Sequence, residues 1–274
     1  MTEKKDICTC DKENCLPANE KSIYANLKTL VIVPGHGIYF GADQWGGTFT
    51  DYDETKLLVE HIIAGVKYAR NDSQSLLMFS GGQTRLECGQ ISEAFGYLQY
   101  VQENSGLLGS ADLGSRLALE EFARDSFENL LFSIHRFWQC TGEWPDKVLV
   151  KGYAFKEERF KYHAEHLKRN LEHFKLGKGF EFVYDGINDP PEQILEDSID
   201  EKTKKVNVGV RKKEDRTLEE FKAEAGERNP PSDEEASIAI KTLEEKRRRR
   251  DRFMRGNPYY GAANPRESYE YRLN

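Results

Sequence analysis

Two short apolar runs in this sequence end abruptly in glycine. Leu30-Val31-Ile32-Val33 runs into Pro34-Gly35-His36-Gly37, and Leu76-Leu77-Met78-Phe79 runs into Ser80-Gly81-Gly82-Gln83-Thr84-Arg85. Each run is short, branched or aromatic, and bounded by turn residues, the pattern of a fully buried strand. Each glycine turn is expected to lead into a helix. Open parallel sheets bind ligands in the crevice outside the carboxyl ends of their strands. Two strand ends stripped of bulky side chains therefore predict a small-molecule site.

Other segments continue the alternation. A helix is expected after Asp51-Tyr52-Asp53-Glu54-Thr55, capped by Asp51 or Asp53, with Leu57, Leu58, His61, Ile62, Gly65 and Val66 at helical spacing. A second helix opens at Ser92-Glu93-Ala94. Leu117–Phe122 reads as the start of a helical stretch that restarts at Asp125, where Asp125 and Glu128 have capping-box spacing. Lys147–Tyr153 is a third strand, Glu157–Phe174 a helix, and Phe180–Tyr184 a last strand. Strands separated by helices imply βαβ crossovers and a parallel sheet covered on both faces. The expected fold is α/β: a three-layer Rossmann-like sandwich over residues 28–190, after a polar lead-in (1–27) and before a charged, partly helical or disordered extension (191–274).

Composition bounds the function. The 274-residue chain has a net charge of -7, which argues against general nucleic-acid binding. No apolar run approaches the length of a membrane helix, and no signal-like stretch opens the chain. The expected setting is cytoplasmic, with Lys246–Arg252 readable as a nuclear signal or as the end of a charged helix. Cys8, Cys10 and Cys15 cluster near the start but lack a fourth ligand among residues 1–28, so no zinc site is assigned.

Several residues at the strand ends could carry chemistry. Consecutive N–H groups of Ser80-Gly81-Gly82 can converge on an anion beside a helix N-terminus, with Arg85 as an added donor. The sequence has neither the Walker spacing nor the dinucleotide fingerprint. Gly35 and Gly37 would expose His36 for ligand contact, acid–base chemistry or metal, unless a loop carbonyl takes its imidazole. Glu93 either complements a helix dipole or holds a ligand hydroxyl or amine. Glu128 and Asn129 enter an apolar helix face and need partners there, from a ligand or from the Ser80 loop. Lys156 and Arg159 share a helical face immediately after the third strand and would add positive charge. His163 and His166, at i and i+3, read as surface residues. No nucleophile stands out.

Pro-Gly-His-Gly, Ser-Gly-Gly, Ser92-Glu93-Ala94 and Ser126-Phe127-Glu128-Asn129 arise in an order and spacing that resembles the DUF218 family of YdcF-, SanA- and ElyC-like proteins, over about Thr29 to Phe174. The chain looks like a eukaryotic, fungal-type member without a membrane anchor. The resemblance implies a Rossmann-like fold and, from YdcF-like proteins, S-adenosylmethionine as a cofactor. It also implies that Ser80, Gly81, Gly82, Glu93, Glu120, Ser126, Glu128 and Asn129 face the shared crevice. Here Ala123, Asp125 and Ser126 replace the family's Ser, Asn and Thr, and Lys156 stands where the family carries His. Arg159 is kept.

These readings converge on a small anionic or nucleotide-like ligand in the strand-end crevice. One alternative is a transferase or hydrolase acting on a phosphorylated or carboxylated metabolite, with His36, Glu128 and Lys156 as acid–base candidates. A second is an interaction protein that works through its charged C-terminal region.

Overall fold

In the computed structural model, the described residues are 24, 26–46, 53–85, 88–109, 111–170, 179–196, 198–199, 206–207 and 209–224. The cysteine cluster and the Lys246–Arg252 run lie outside them. The elements run β1 (Thr29–Pro34), β2 (Ile38–Gly41), β3 (Gln44–Gly46), α1 (Thr55–Asn71), β4 (Ser75–Ser80), α2 (Glu93–Glu103), α3 (Ala111–Ser115), β5 (Leu117–Glu120), α4 (Ser126–Thr141), β6 (Lys147–Tyr153), α5 (Glu157–Arg169), β7 (Glu181–Asn188), α6 (Glu192–Leu195), β8 (Ser198–Ile199), β9 (Val206–Asn207) and α7 (Val210–Glu224).

Five parallel strands form one sheet in the order β5-β4-β1-β6-β7. Alternate residues of each strand serve opposite faces, as the two-residue period of a strand requires. Leu30, Ile32, Leu76, Met78, Val148 and Val150 pack with α4 and α5. Val31, Val33, Leu77, Phe79 and Leu149 pack with α1 and α2. The result is the three-layer Rossmann-like sandwich. The chain leaves β1 toward β4 and β5, then returns to place β6 on the other side of β1. That reversal between β1 and β6 is the switch point at which such sheets open a crevice.

Three local expectations are corrected. Leu117–Glu120 is a strand, paired in parallel with β4 from Leu77↔Leu117 to Ser80↔Glu120. A short apolar run cannot be told from a helix segment by its period alone, and the open edge of β4 decided the matter. The first glycine turn leads into a β2–β3 hairpin rather than directly into a helix. Helix α1 begins at Thr55 with Glu54 as its N-cap residue, while Asp53 accepts from the Thr55 amide at 3.1 Å; Asp51 lies outside the described residues.

The caps elsewhere follow the expected chemistry. Asp125 caps α4 by accepting from the Glu128 N–H at 3.0 Å, and Gly142 ends that helix with φ 76°. Ser92 caps α2 by accepting from the Phe95 N–H at 2.9 Å. Part of the charged extension packs back on the sandwich: Phe221 of α7 joins the α4–α5 core. Among the described residues, no helix is long and apolar enough to cross a membrane.

Candidate functional site

A cavity of about 290 Å³ opens at the carboxyl ends of β1, β4, β5 and β6. Of the candidates named from sequence, Gly35, His36, Arg85, Glu93, Ser126, Asn129, Lys156 and Arg159 line it. Gly37, Ser80, Gly81, Gly82, Glu120 and Glu128 are not among the lining residues. The cavity also takes Thr84, Arg124, Asp125 and Phe155, and one wall is α7, through Val210, Lys213, Glu214 and Thr217.

The glycine loop is not an anion cradle. The Gly81 N–H donates to the Glu120 carbonyl (2.9 Å) and the Gly82 N–H to the Ala123 carbonyl (2.8 Å). The N–H groups of Glu93 and Ala94, which open α2, donate to the Gly82 and Gly81 carbonyls at 3.2 and 3.1 Å. Donors already spent on backbone carbonyls cannot also receive a phosphate. The glycines serve close packing instead. A Cβ on Gly35 would lie 2.3 Å from Glu93 Cβ, and one on Gly81, at φ +152°, would lie 2.5 Å from Glu93 Oε2. They make room for the Glu93 carboxylate, which accepts from the Thr84 hydroxyl at 2.5 Å. Glu93 thus does more than complement a helix dipole, and Ser92 takes the capping role.

Behind this loop, the Ser80 hydroxyl lies 2.5 Å from Glu120 Oε2 and 2.8 Å from Asn129 Oδ1. Glu120 also accepts from the Phe122 and Ala123 amides at 2.6 and 3.0 Å. Burial pushes its carboxyl up to about 7 against these hydrogen bonds. Glu128 has its partner in Arg124, whose Nε and Nη2 donate to its two oxygens at 2.9 and 2.5 Å. The Arg124 N–H donates to the same carboxylate at 2.8 Å. Glu128 is fully buried, so its carboxylate is occupied by structure rather than presented to the cavity. The need for a partner on an apolar face was legible; that the partner is the residue four positions earlier was not. Ser126 is tied to His163 at 2.9 Å, and His163 is 1% exposed, against its expected surface placement. Its ring meets Phe221 of α7 at 4.5 Å.

Lys156 and His36 meet across the switch point, with Lys156 Nζ 3.3 Å from His36 Nδ1. On the far side of the imidazole, Nε2 lies 3.6 Å from Glu54 Oε1. The other Glu54 oxygen accepts from the Tyr153 hydroxyl at 2.5 Å. Burial holds the His36 imidazole well below its ordinary value, with Lys156 and Arg85 adding to the depression. His36 is therefore neutral at physiological pH. The tautomer protonated on Nε2 turns that proton toward the Glu54 carboxylate and makes Nδ1 the acceptor toward Lys156. Burial, then the neighbouring Arg159 charge, lowers the Lys156 amine to about 8. Nζ stands 5.1 Å over the Tyr153 ring and 5.6 Å over the Phe155 ring. His61, whose ring meets Tyr153 edge-on at 4.5 Å, is lowered to about 4 by burial and bonds Asn188 Oδ1 at 2.7 Å.

Arg159 Nε lies 2.6 Å from Glu214 Oε1 of α7, as a charge contact rather than an aligned hydrogen bond. Burial raises the Glu214 carboxyl while Arg159 opposes that rise. Arg85 Nε is buried without a hydrogen-bond partner among the described residues. In all, five cationic side chains line the cavity (Arg85, Arg124, Lys156, Arg159, Lys213) against three acidic ones (Glu93, Asp125, Glu214). Among the described residues, no group of His, Cys, Asp and Glu is arranged to hold a metal ion.

Sequence reasoning missed Glu54, Tyr153, His163 and the whole α7 wall. Glu54 looked like part of a helix start. For α7 a signal existed: Val210, Lys213, Glu214, Thr217 and Phe221 share the spacing of one helical face. The surrounding charge density hid it.

No family model matches the chain, and no solved structure matches it. The chain is similar to an uncharacterised protein of Saccharomyces cerevisiae, YOR238W, 31% identical over 137 residues. The match covers 37% of this chain and 45% of the yeast protein, so the chain spans about half the length of that relative.

Proposed function

We propose that the cavity binds a small ligand bearing a phosphate or carboxylate group, nucleotide-like or simpler. The observation that carries this reading is a guanidinium nitrogen, Arg85 Nε, buried without a hydrogen-bond partner among the described residues, in the same cavity as a lysine, Lys156, whose side-chain hydrogen-bond partner is an imidazole. Buried positive charge needs a counter-charge or loses its proton, and a guanidinium does not lose its proton. A planar anionic group from a ligand supplies that counter-charge and matches the arginine fork. The donors are side chains, not the glycine-loop N–H groups. S-Adenosylmethionine, which the DUF218 resemblance implies, offers its carboxylate to these cations, while its sulfonium and ammonium would have to face Glu93, Asp125 or Glu214.

The test is ligand-induced thermal stabilisation with inorganic phosphate, adenosine monophosphate and S-adenosylmethionine. Binding to the folded state raises the melting temperature by mass action. At least one probe is expected to stabilise the native chain, and R85A and K156A to remove most of that shift. Stabilisation that survives both substitutions places the ligand elsewhere.

A second reading is catalysis on such a ligand, favoured by the Glu54–His36–Lys156 contact. A neutral imidazole between a carboxylate and an amine is a proton-transfer arrangement. Turnover lost in H36Q with ligand affinity retained would establish it.

A further inference from the structure

The surroundings of Lys156 are unusual for a surface-type residue. Its amine is at the wall of a cavity and finds an imidazole nitrogen at 3.3 Å rather than a carboxylate. Two aromatic rings lie under it, and the Arg159 guanidinium follows one helical turn on. A lysine desolvated beside another cation is the standard environment for an amine that must be neutral to act. The imidazole next to it is itself neutral and backed by Glu54, so it can take a proton from Nζ and return one. Arg85 stands apart as a second handle on the same cavity, suited to a fixed negative group. The cavity's other lysine, Lys213, is exposed and so keeps a solvated amine, and Ser126 is held by His163.

We propose that Lys156 forms an imine with the carbonyl carbon of a small phosphorylated or carboxylated aldehyde or ketone, held by its anionic group at the cationic side chains of the cavity. This rests on the anion-binding reading above and names the substrate class for it. The neutral Lys156 amine attacks the carbonyl carbon; the C–N bond forms and the carbonyl π bond breaks. Nζ loses a proton to His36 Nδ1, and the former carbonyl oxygen becomes a hydroxyl by taking one up. The C–O bond then breaks and the oxygen leaves as water, carrying the further proton that the lysine ammonium released when it became an amine. Ammonium plus carbonyl therefore gives iminium plus water. The sequence needs no oxidant, reductant or second reactant. The lowered basicity of the amine supports this assignment, because a substantial fraction is neutral near pH 7.5.

The experiment is borohydride trapping on the full chain with three probes. Glycolaldehyde phosphate carries aldehyde and anion, propionaldehyde carries only the aldehyde, and ethyl phosphate carries only the anion. Glycolaldehyde phosphate is expected to leave one reduced adduct per chain, mapped to Lys156 by peptide mass spectrometry. It should react about tenfold faster than propionaldehyde, and ethyl phosphate should slow it. K156R keeps a cation and should lose the adduct; H36Q should slow trapping while leaving thermal stabilisation by ethyl phosphate in place. Stabilisation by ethyl phosphate together with no adduct, or with adducts scattered over surface lysines, overturns the imine and leaves anion binding standing. If neither phosphate compound stabilises the chain nor reacts at Lys156, both readings fall.

Discussion

Arg159 Nε and Glu214 Oε1 lie 2.6 Å apart, each on a side chain about one-tenth exposed, joining the helix after β6 to the helix of the C-terminal extension. The carboxylate of Glu214 sits where a ligand anion would meet Arg159. On the proposed reading it competes with the ligand for that charge, and it also fastens α7. Replacing it with a neutral amide, E214Q, frees the guanidinium toward the cavity. Anion affinity is then expected to rise roughly three- to tenfold, as removal of one nearby charge in a partly screened site would give. Titration calorimetry with ethyl phosphate measures it. Unchanged or weaker binding would show that Arg159 takes no part in holding the ligand.

The Arg124–Glu128 pair makes a different prediction. Both side chains are buried, and the carboxylate accepts two guanidinium bonds and a backbone N–H. Removing one charge strands the other in an apolar setting, which typically costs about 3–5 kcal/mol. E128Q keeps the shape and one acceptor, so a loss of about 3 kcal/mol in urea unfolding is the expected outcome. A variant of near-native stability that has lost ligand binding would instead return Glu128 to the functional list.

Glu120 gives a pH signature. Its folded-state value is about 7, raised by burial from the ordinary carboxyl value of 4.5. Between those two values the folded chain holds a proton that the unfolded chain has released. The stability gained from this proton is fully present below about pH 4.5 and is lost as pH rises through about 7. In E120Q the amide mimics the protonated acid and has nothing to titrate. Wild-type stability should therefore fall relative to E120Q by about 3 kcal/mol across that window, read from denaturant midpoints. Parallel pH profiles for the two proteins would refute the assignment.

Much of the sandwich was legible because its causes are local. Leu30–Val33 and Leu76–Phe79 are buried on both faces and bounded by turn residues, so their strand character needs no partner to be read. Asp125 and Gly142 cap α4 with donors and carbonyls a few residues away. Leu117–Glu120 was misread as helix because its strand identity depends on β4, forty residues earlier. Glu128 posed a clear question, a carboxylate on an apolar face, but the answer depended on how the chain turns at Arg124.

The amino-acid order by itself thus determined the alternation of strands and helices, the parallel sheet and the end of it where a crevice must open. The tertiary structure decided what the crevice is made of. Gly81 and Gly82 give their N–H groups to carbonyls at 120 and 123, so the cavity is left to side chains for its polar lining. Glu54 reaches His36 and Tyr153, and Lys156 reaches His36 across 120 positions of sequence. Glu214 arrives from a segment that composition alone marks as solvated. The physical reason is one of range. Backbone periodicity and capping are satisfied within a few residues, whereas a buried polar group takes whichever partner the packing brings within about 3 Å.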